Sequence, residues 1–395
     1  MSARDDRRTR VDRIGRALTE SARVQPVLVP VLAVLVALVV AAIVVVAIGK
    51  DPLESYWALL RGMYGTGDRV AASLARSTPF VGAALAVAFA FRAGLFNIGV
   101  EGQLLVGATT AAWVGTFSWL ADVPAPLLVP IVILAGALGG GLWGGIPGVL
   151  KARTGAHEVI VTIMLNSIAV LYVRWLVSSS DPLILRDTGA SVPRTAPVHE
   201  AARLPVLVDS EPPLHVGALV VVGLCVLVWF VLRRTTFGFE VRTVGTNPNA
   251  AKYAGMGVNR TIVLVMLLSG GLAGIAGAGE VLGTSGYLSP GVFVALGFDA
   301  IGIALLARAN PFAIILTSIL WGSMLSGAGL MQQEAGLSID AVRIIQALVL
   351  LLVAADVVVR TIFRLRTPSV DGDDPKGAID PLATSQVGSG WAGPT

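Results

Sequence analysis

The chain has few residues suited to bond chemistry. One cysteine and three histidines are spread over 395 residues, so no intramolecular disulfide can form and no metal-ligand cluster is predicted. Only 14% of residues are charged and 6% aromatic, whereas a soluble domain carries about 25% charged residues. None of the lysines (Lys50, Lys151, Lys252, Lys376) stands in G-x-x-x-x-G-K-[ST], so the chain has no P-loop of its own. His157-Glu158 opens no H-E-x-x-H, because position 161 is Val. Gly139-Gly140-Gly141-Leu142-Trp143-Gly144 fits G-x-G-x-x-G letter by letter. It lies in an apolar run with no strand before it, and small-xxx-small helix packing through Gly136/Gly140 and Gly141/Gly145 explains it better than a nucleotide. No nucleophile–base pair is evident, and neither a catalytic residue nor a cofactor is predicted.

What the chain has in abundance is apolar sequence: 55% of residues are hydrophobic and the mean hydropathy is +0.78. The apolar residues fall in runs of about 20, the length a helix needs to cross ~30 Å of hydrocarbon. An all-α polytopic membrane protein is expected, with spans near 26–48, 71–91, 101–120, 126–150, 158–177, 215–232, 261–282, 291–307, 311–330 and 342–362, about ten in all. The run near 291–307 is short and contains Asp299, so a half-helix fits there too. The N-terminal arginines precede an apolar stretch longer than a signal-peptide core of roughly 7–15 residues, so 26–48 reads as a retained first span.

Sidedness follows from the basic residues. With the N-terminus inside, Arg92, Lys151, Arg153, Arg233, Arg234, Arg242, Lys252, Arg260 and Arg308 all fall on the inner side with both tails, as the positive-inside rule requires. The expected organisation is a basic cytoplasmic tail (1–25), a transmembrane domain (26–363) and a disordered cytoplasmic tail (364–395). Within the domain, 181–213 is an external loop and 233–260 a cytoplasmic one. Asp51–Arg69 carries Trp57, Leu59, Leu60 and Met63 at helical spacing, which suggests an amphipathic surface helix outside. Gly-rich spans near 136–148 and 270–279 hint at two related halves. The basic excess follows sidedness, so no nucleic-acid partner is expected.

Two stretches carry polar detail. Arg92-Ala93-Gly94-Leu95-Phe96-Asn97-Ile98-Gly99-Val100-Glu101-Gly102-Gln103 sets polar groups between two long apolar segments, where each charge costs roughly 2.5–3.5 kcal/mol on insertion scales. In the cytoplasmic loop, Asn247-Pro248 supplies an N-cap and a first-turn proline, and Gly255 a C-terminal stop. A helix over Pro248–Ala254 follows. It has too little surface to fold unaided, so it is expected to dock on something.

Three runs together resemble one family: Phe96-Asn97-Ile98-Gly99-Val100-Glu101-Gly102-Gln103, Arg242-Thr243-Val244-Gly245-Thr246-Asn247-Pro248-Asn249-Ala250-Ala251, and Ala304-Leu305-Leu306-Ala307-Arg308-Ala309-Asn310-Pro311. They look like permease subunits of bacterial ABC importers, in the branch of branched-chain amino-acid, simple-sugar and nucleoside permeases. The likeness covers roughly residues 26–363. Phe96–Gln103 and Glu158-Val159-Ile160-Val161-Thr162-Ile163-Met164-Leu165-Asn166 are similar to the nucleoside type; His157 departs from its usual Asn and Ala307 from a frequent Gly. The resemblance implies a multi-pass protein of a bacterial cytoplasmic (inner) membrane, in contact with lipid. Its expected partners are a cytoplasmic ATPase, a second permease (paralogous or identical, the resemblance favouring paralogous) and an extracytoplasmic binding protein.

The candidate pathway residues are Asn97, Glu101, Gln103, Asn166, Glu280 and Asp299. Amides and carboxylates suit ribose hydroxyls and base edges, but the same groups can hold helices together through interhelical hydrogen bonds of about 0.6–2 kcal/mol. The candidate ATPase-coupling residues are Gly238, Glu240, Arg242, Gly245, Asn247, Pro248, Ala250, Ala251 and Gly255. The alternatives are a simple-sugar permease and a stand-alone ion-coupled carrier, in which Glu101, Glu280 and Asp299 would bind the ion.

Overall fold

The computed structural model describes residues 25–180, 184–291, 293 and 295–354. Residues 1–24 and 355–395 lie outside the described residues, and with them the two expected tails and the sidedness of both termini.

The described chain is a succession of helices: α1 (Gln25–Ala47), α2 (Pro52–Tyr64), α3 (Gly67–Phe91), α4 (Val100–Val114), α5 (Ala125–Thr154), α6 (Glu158–Ser178), α7 (Gly217–Arg234), α8 (Thr236–Thr246), α9 (Pro248–Tyr253), α10 (Val258–Glu280), α11 (Leu296–Leu306), α12 (Pro311–Ala335) and α13 (Ile339–Ala354). One short antiparallel ribbon, β1 (Val206–Val208) with β2 (Leu214–His215), interrupts them.

Among the described residues, six helices are long and apolar enough to cross a bilayer: α3, α5, α6, α7, α10 and α12. A seventh results if α1 and α2, bent by 119° at their junction, count as one span. Ten spans are expected from the sequence; six or seven meet this length among the described residues. Each expected position does hold a helix, but α4 has 15 residues and α11 has 11, roughly 22 and 16 Å of rise against ~30 Å of hydrocarbon. Backbone geometry shortens both. The chain leaves α3 through turns that include Gly94 at φ +70°, and α11 lies between Ala295 (φ 66°) and Arg308 and Ala309 (φ 51°). Left-handed backbone at non-glycine residues is uncommon and ends a helix on either side.

The chain divides into two compact units, residues 1–57 with 331–395, and residues 58–330. In the first, α1 packs on α13, and the Tyr56 hydroxyl donates to the Leu38 carbonyl at 2.6 Å. Every candidate site residue belongs to the second.

The second unit is built around α10, which packs on α5, α4 and α3. The two Gly-rich stretches meet here: a methyl group on Gly140 would overlap the Gly270 carbonyl, and one on Gly274 the Gly136 carbonyl. Backbones come this close only where side chains are lacking, and without a hydrophobic drive in lipid such contact is what joins helices. α3 is buried along most of its length, whereas α6 and α7 keep their apolar side chains largely exposed.

Two expected loops are folded. The described part of 181–213 forms a 3-10 turn (Glu200–Ala202) and β1. It is strapped to the chain after α10 by backbone bonds from Thr195 to Leu288, Val198 to Gly286 and Leu204 to Leu282, at 2.8–3.0 Å. In 233–260, expected as a loop with one short helix, α8 precedes α9, and the Thr235 hydroxyl caps it by accepting from Gly238 N–H at 3.0 Å.

Candidate functional site

The segment 92–103 folds into a buried polar knot. Asn97 is fully buried and all four hydrogen-bonding sites of its amide are occupied. Its Nδ2 donates to Gln103 Oε1 (2.9 Å) and Ser269 Oγ (2.8 Å). Its Oδ1 accepts from Gly99 N–H and Gln103 Nε2, both at 3.0 Å. Ser269 passes the bond on to the Ala86 carbonyl at 2.7 Å. Asn166, on α6, accepts from Gly102 N–H and donates to the Ile98 carbonyl, each at 2.9 Å. Asn97, Gln103 and Asn166 thus converge, and their amides hold the segment 97–103 against α3, α6 and α10. In a buried amide with every site satisfied, the hydrogen bonds offset the cost of desolvation.

Glu101 lies beside this knot, in the first turn of α4, and its carboxylate reaches α11. Oε1 accepts from Ala295 N–H at 3.0 Å and Oε2 from Gly297 N–H at 2.5 Å. A methyl group on Gly297 would overlap the Glu101 backbone, so the two helix starts are in direct contact. The N–H groups at the start of α11 have no partner within the helix, and the Glu101 carboxyl group supplies one. Asp299 shares the first turn of α11. Glu280 stands apart from the knot at the end of α10, next to Thr284 and Arg76.

The predicted coupling residues form a separate group. Asn247 accepts from Ala250 N–H at 3.0 Å, and α9 ends before Gly255 at φ +80°. Gly238 packs against the end of α7, and a methyl group on Gly245 would overlap the Arg92 carbonyl, so α8 docks on the turn that follows α3. Arg242 donates to the Leu232 carbonyl, and Arg92 donates to the Ala309 carbonyl at 2.8 and 3.2 Å. Burial, with Arg233 and Arg242 nearby, lowers the Arg92 pKa from its ordinary value. Ala251 is fully buried while Ala250 and Glu240 are not, and the Tyr253 ring is 95% exposed.

A third feature is a cavity of about 750 Å³ between α4, α5, α6 and the segment after α6. Trp143 and Tyr172 form part of its wall, with ring planes within 10° of parallel and centroids 6.4 Å apart. Neither aromatic stood out in the sequence, since each lies among apolar residues of an expected span. Ser269 was legible in principle as a lone hydroxyl among Leu267, Leu268 and glycines. Among the described residues no group of His, Cys, Asp and Glu is placed to hold a metal ion.

Residues 69–354 match the family described as branched-chain amino acid transport system, permease component. Among curated relatives, the guanosine ABC transporter permease protein NupP of Bacillus subtilis is 41% identical over 86% of this chain and 96% of its own length. The nucleoside ABC transporter permease protein NupB of Lactococcus lactis is 30% identical over 85% and 93%. The glucose ABC transporter permease protein TsgB13 of Haloferax volcanii is 34% identical over 82% and 85%. No solved structure matches the chain.

Proposed function

The chain belongs to the family of branched-chain amino acid transport system permease components, and from that premise we propose that it is the membrane permease of an ATP-driven nucleoside importer in a bacterial plasma membrane. The observation that carries this reading is the near full-length similarity to a permease named for guanosine. The chain contributes no ATP hydrolysis, which belongs to a separate subunit. Segment 233–260 would face the cytoplasm and 181–213 the exterior, with both termini inside. A second, paralogous permease and an extracytoplasmic binding protein would complete the transporter.

In this reading α8 and α9 receive the push of the ATPase. Their footing supports the role: α8 sits on the turn after α3, and Arg92 in that turn holds the carbonyl of Ala309 after α11. A shift of α8 therefore moves the chain on both sides of the polar knot, a rigid-element route of the kind that opens and closes transporters. Asn97, Gln103, Asn166 and Glu101 serve the route by holding these half-length helices in register.

The test is uptake of labelled guanosine by cells lacking the gene, with and without the gene restored. Uptake should return with the gene, stop when the partner ATPase loses its P-loop lysine, and persist when the proton gradient is collapsed at constant ATP. Uptake that follows the gradient instead would favour the ion-coupled carrier. The glucose-permease relative favours a second reading, a simple-sugar importer; competition by excess glucose or ribose, but not by inosine, would support it.

A further inference from the structure

We infer that the cavity between α4, α5 and α6 is a binding site for the base of the nucleoside, an aromatic stacking site set apart from the polar knot. The inference rests on the importer reading above and adds to it the place and chemistry of the cargo's contact. Three observations carry it.

The first is size and composition. The cavity, about 750 Å³, lies within the ~300–1,000 Å³ usual for small-molecule sites. Its lining holds no charged and no amide side chain; the polar side-chain groups are the hydroxyls of Thr109, Thr110 and Tyr172 and the indole N–H groups of Trp113 and Trp143. A free sugar exposes a hydroxyl on nearly every carbon and would leave most of them unpaired in such a wall, at high cost. A nucleoside also carries ribose hydroxyls and base-edge donors and acceptors, but its flat base face gives the aromatic wall a surface to stack on that a free sugar lacks. The amides and the carboxylate of the knot, which would suit a sugar better, are bonded to the protein itself.

The second is the aromatic wall. Trp143 and Tyr172 are parallel to within 10°, so both rings offer faces of the same orientation to a planar guest. Base–aromatic stacking tolerates any base, because every base has a π-face.

The third is an orphan donor. The Trp143 Nε1–H is buried and has no acceptor in the protein, although its ring lines the cavity. Buried tryptophan N–H groups are usually paired. As it stands this nitrogen is closed off from the cavity, so the indole has to turn for a base carbonyl or ring nitrogen to supply the missing acceptor. The Thr109 and Thr110 hydroxyls already donate to the Leu105 carbonyl (2.7 Å) and the Gly107 carbonyl (2.9 Å). Their lone pairs are left to accept from ribose hydroxyls.

The experiment uses the whole transporter in proteoliposomes, permeases with ATPases and binding protein. Trp143→Leu and Tyr172→Leu should each raise the apparent KM for guanosine by about fivefold or more, the lower end of what loss of a base stack costs. Complex recovery should be unchanged. Trp143→Phe, which keeps a ring and removes the N–H, should fall between wild type and Trp143→Leu. Because a leucine variant can fail to assemble, the wild-type transporter is also photolabelled with 8-azidoguanosine during turnover; label should map to 106–113, 139–146, 172–176 or 184–185. Guanosine uptake with unchanged KM in the assembled variants, or label confined to other segments, overturns the cavity assignment and leaves the importer reading intact. A wild-type transporter that moves no nucleoside overturns the importer reading, and the cavity assignment falls with it.

Discussion

At the scale of single residues, His215 and Glu101 are buried polar groups held by backbone partners. His215, on β2 and outside the six long apolar helices, is 1% exposed, and methyl groups on Gly217 or Gly283 would run into its ring. Its Nδ1 accepts from Gly217 N–H at 3.1 Å, which places the proton of the neutral ring on Nε2. Burial lowers its pKa to about 4, against ~6.5 for an unperturbed histidine. An unfolded chain therefore takes up a proton near pH 6.5 while the folded ring resists until about 4, so stability is full above ~6.5 and is lost as pH falls between these values. By pH 5 the loss from this residue is about 2 kcal/mol. The apparent melting temperature of the detergent-solubilised protein should drop from pH 7 to pH 5 more steeply than that of His215→Gln. Equal slopes in the two proteins would show that His215 is not the buried neutral group described. The same logic explains Glu101. Its position among apolar residues was legible as a costly charge, but its partners, Ala295 and Gly297, are backbone N–H groups nearly 200 residues away, and no side-chain pattern announces a pair of backbone donors.

At the scale of elements, α8 and α9 divide into a face that packs and a face that does not. Ala251 is fully buried, so an arginine there would overpack the permease itself, at about 1–3 kcal/mol plus the cost of an unpaired charge. Tyr253, at 95% exposure, is the side chain available to a partner. Aromatic anchors at interfaces commonly carry about 2 kcal/mol or more, roughly thirtyfold in affinity. Tyr253→Ala should therefore leave membrane yield unchanged while co-purification of the ATPase and nucleoside uptake fall together, whereas Ala251→Arg should lower membrane yield first. Unaltered ATPase association in an assembled Tyr253→Ala protein would remove α9 from the coupling surface. How much of these elements could be read beforehand depended on local signals. Asn247, Pro248 and Gly255 mark the ends of α9 within a few residues and gave it away. α8 was missed because Gly238, Thr243, Gly245 and Thr246 are weak helix formers; the helix is set instead by its Thr235 cap and by tertiary packing of Gly238 and Gly245. The short lengths of α4 and α11 were hidden for a related reason. Their apolar runs continue past the helix ends, and left-handed residues such as Ala295 and Arg308 leave no mark in composition.

At the scale of the whole molecule, α7 separates the two segments that the importer reading places on opposite membrane faces. Its 18 residues, Gly217–Arg234, rise about 27 Å, close to the ~30 Å hydrocarbon thickness, and two arginines mark its last turn. The segment before it, with Ser191 exposed, and the segment after it, with Asn249 exposed, must then face different compartments if α7 crosses. The positive-inside rule assigns the arginine-rich end to the cytoplasm, and the cluster of Arg92, Arg233 and Arg242 at that end strengthens the assignment. A background free of cysteine is simple to make, since Cys225 is the sole one and is buried; Cys225→Ala removes it. In that background Ser191→Cys should react in intact cells with a membrane-impermeant thiol reagent. Asn249→Cys should react only after the membrane is opened, and should be protected when the ATPase is bound. Labelling of both sites from outside would mean that α7 does not cross. The reverse pattern would put α8 and α9 outside, out of reach of any cytoplasmic ATPase, and would end the coupling assignment even though the family membership stood. Protection of Asn249→Cys by the ATPase alone, with Ser191→Cys unaffected, is the result that ties sidedness and coupling to the same helix.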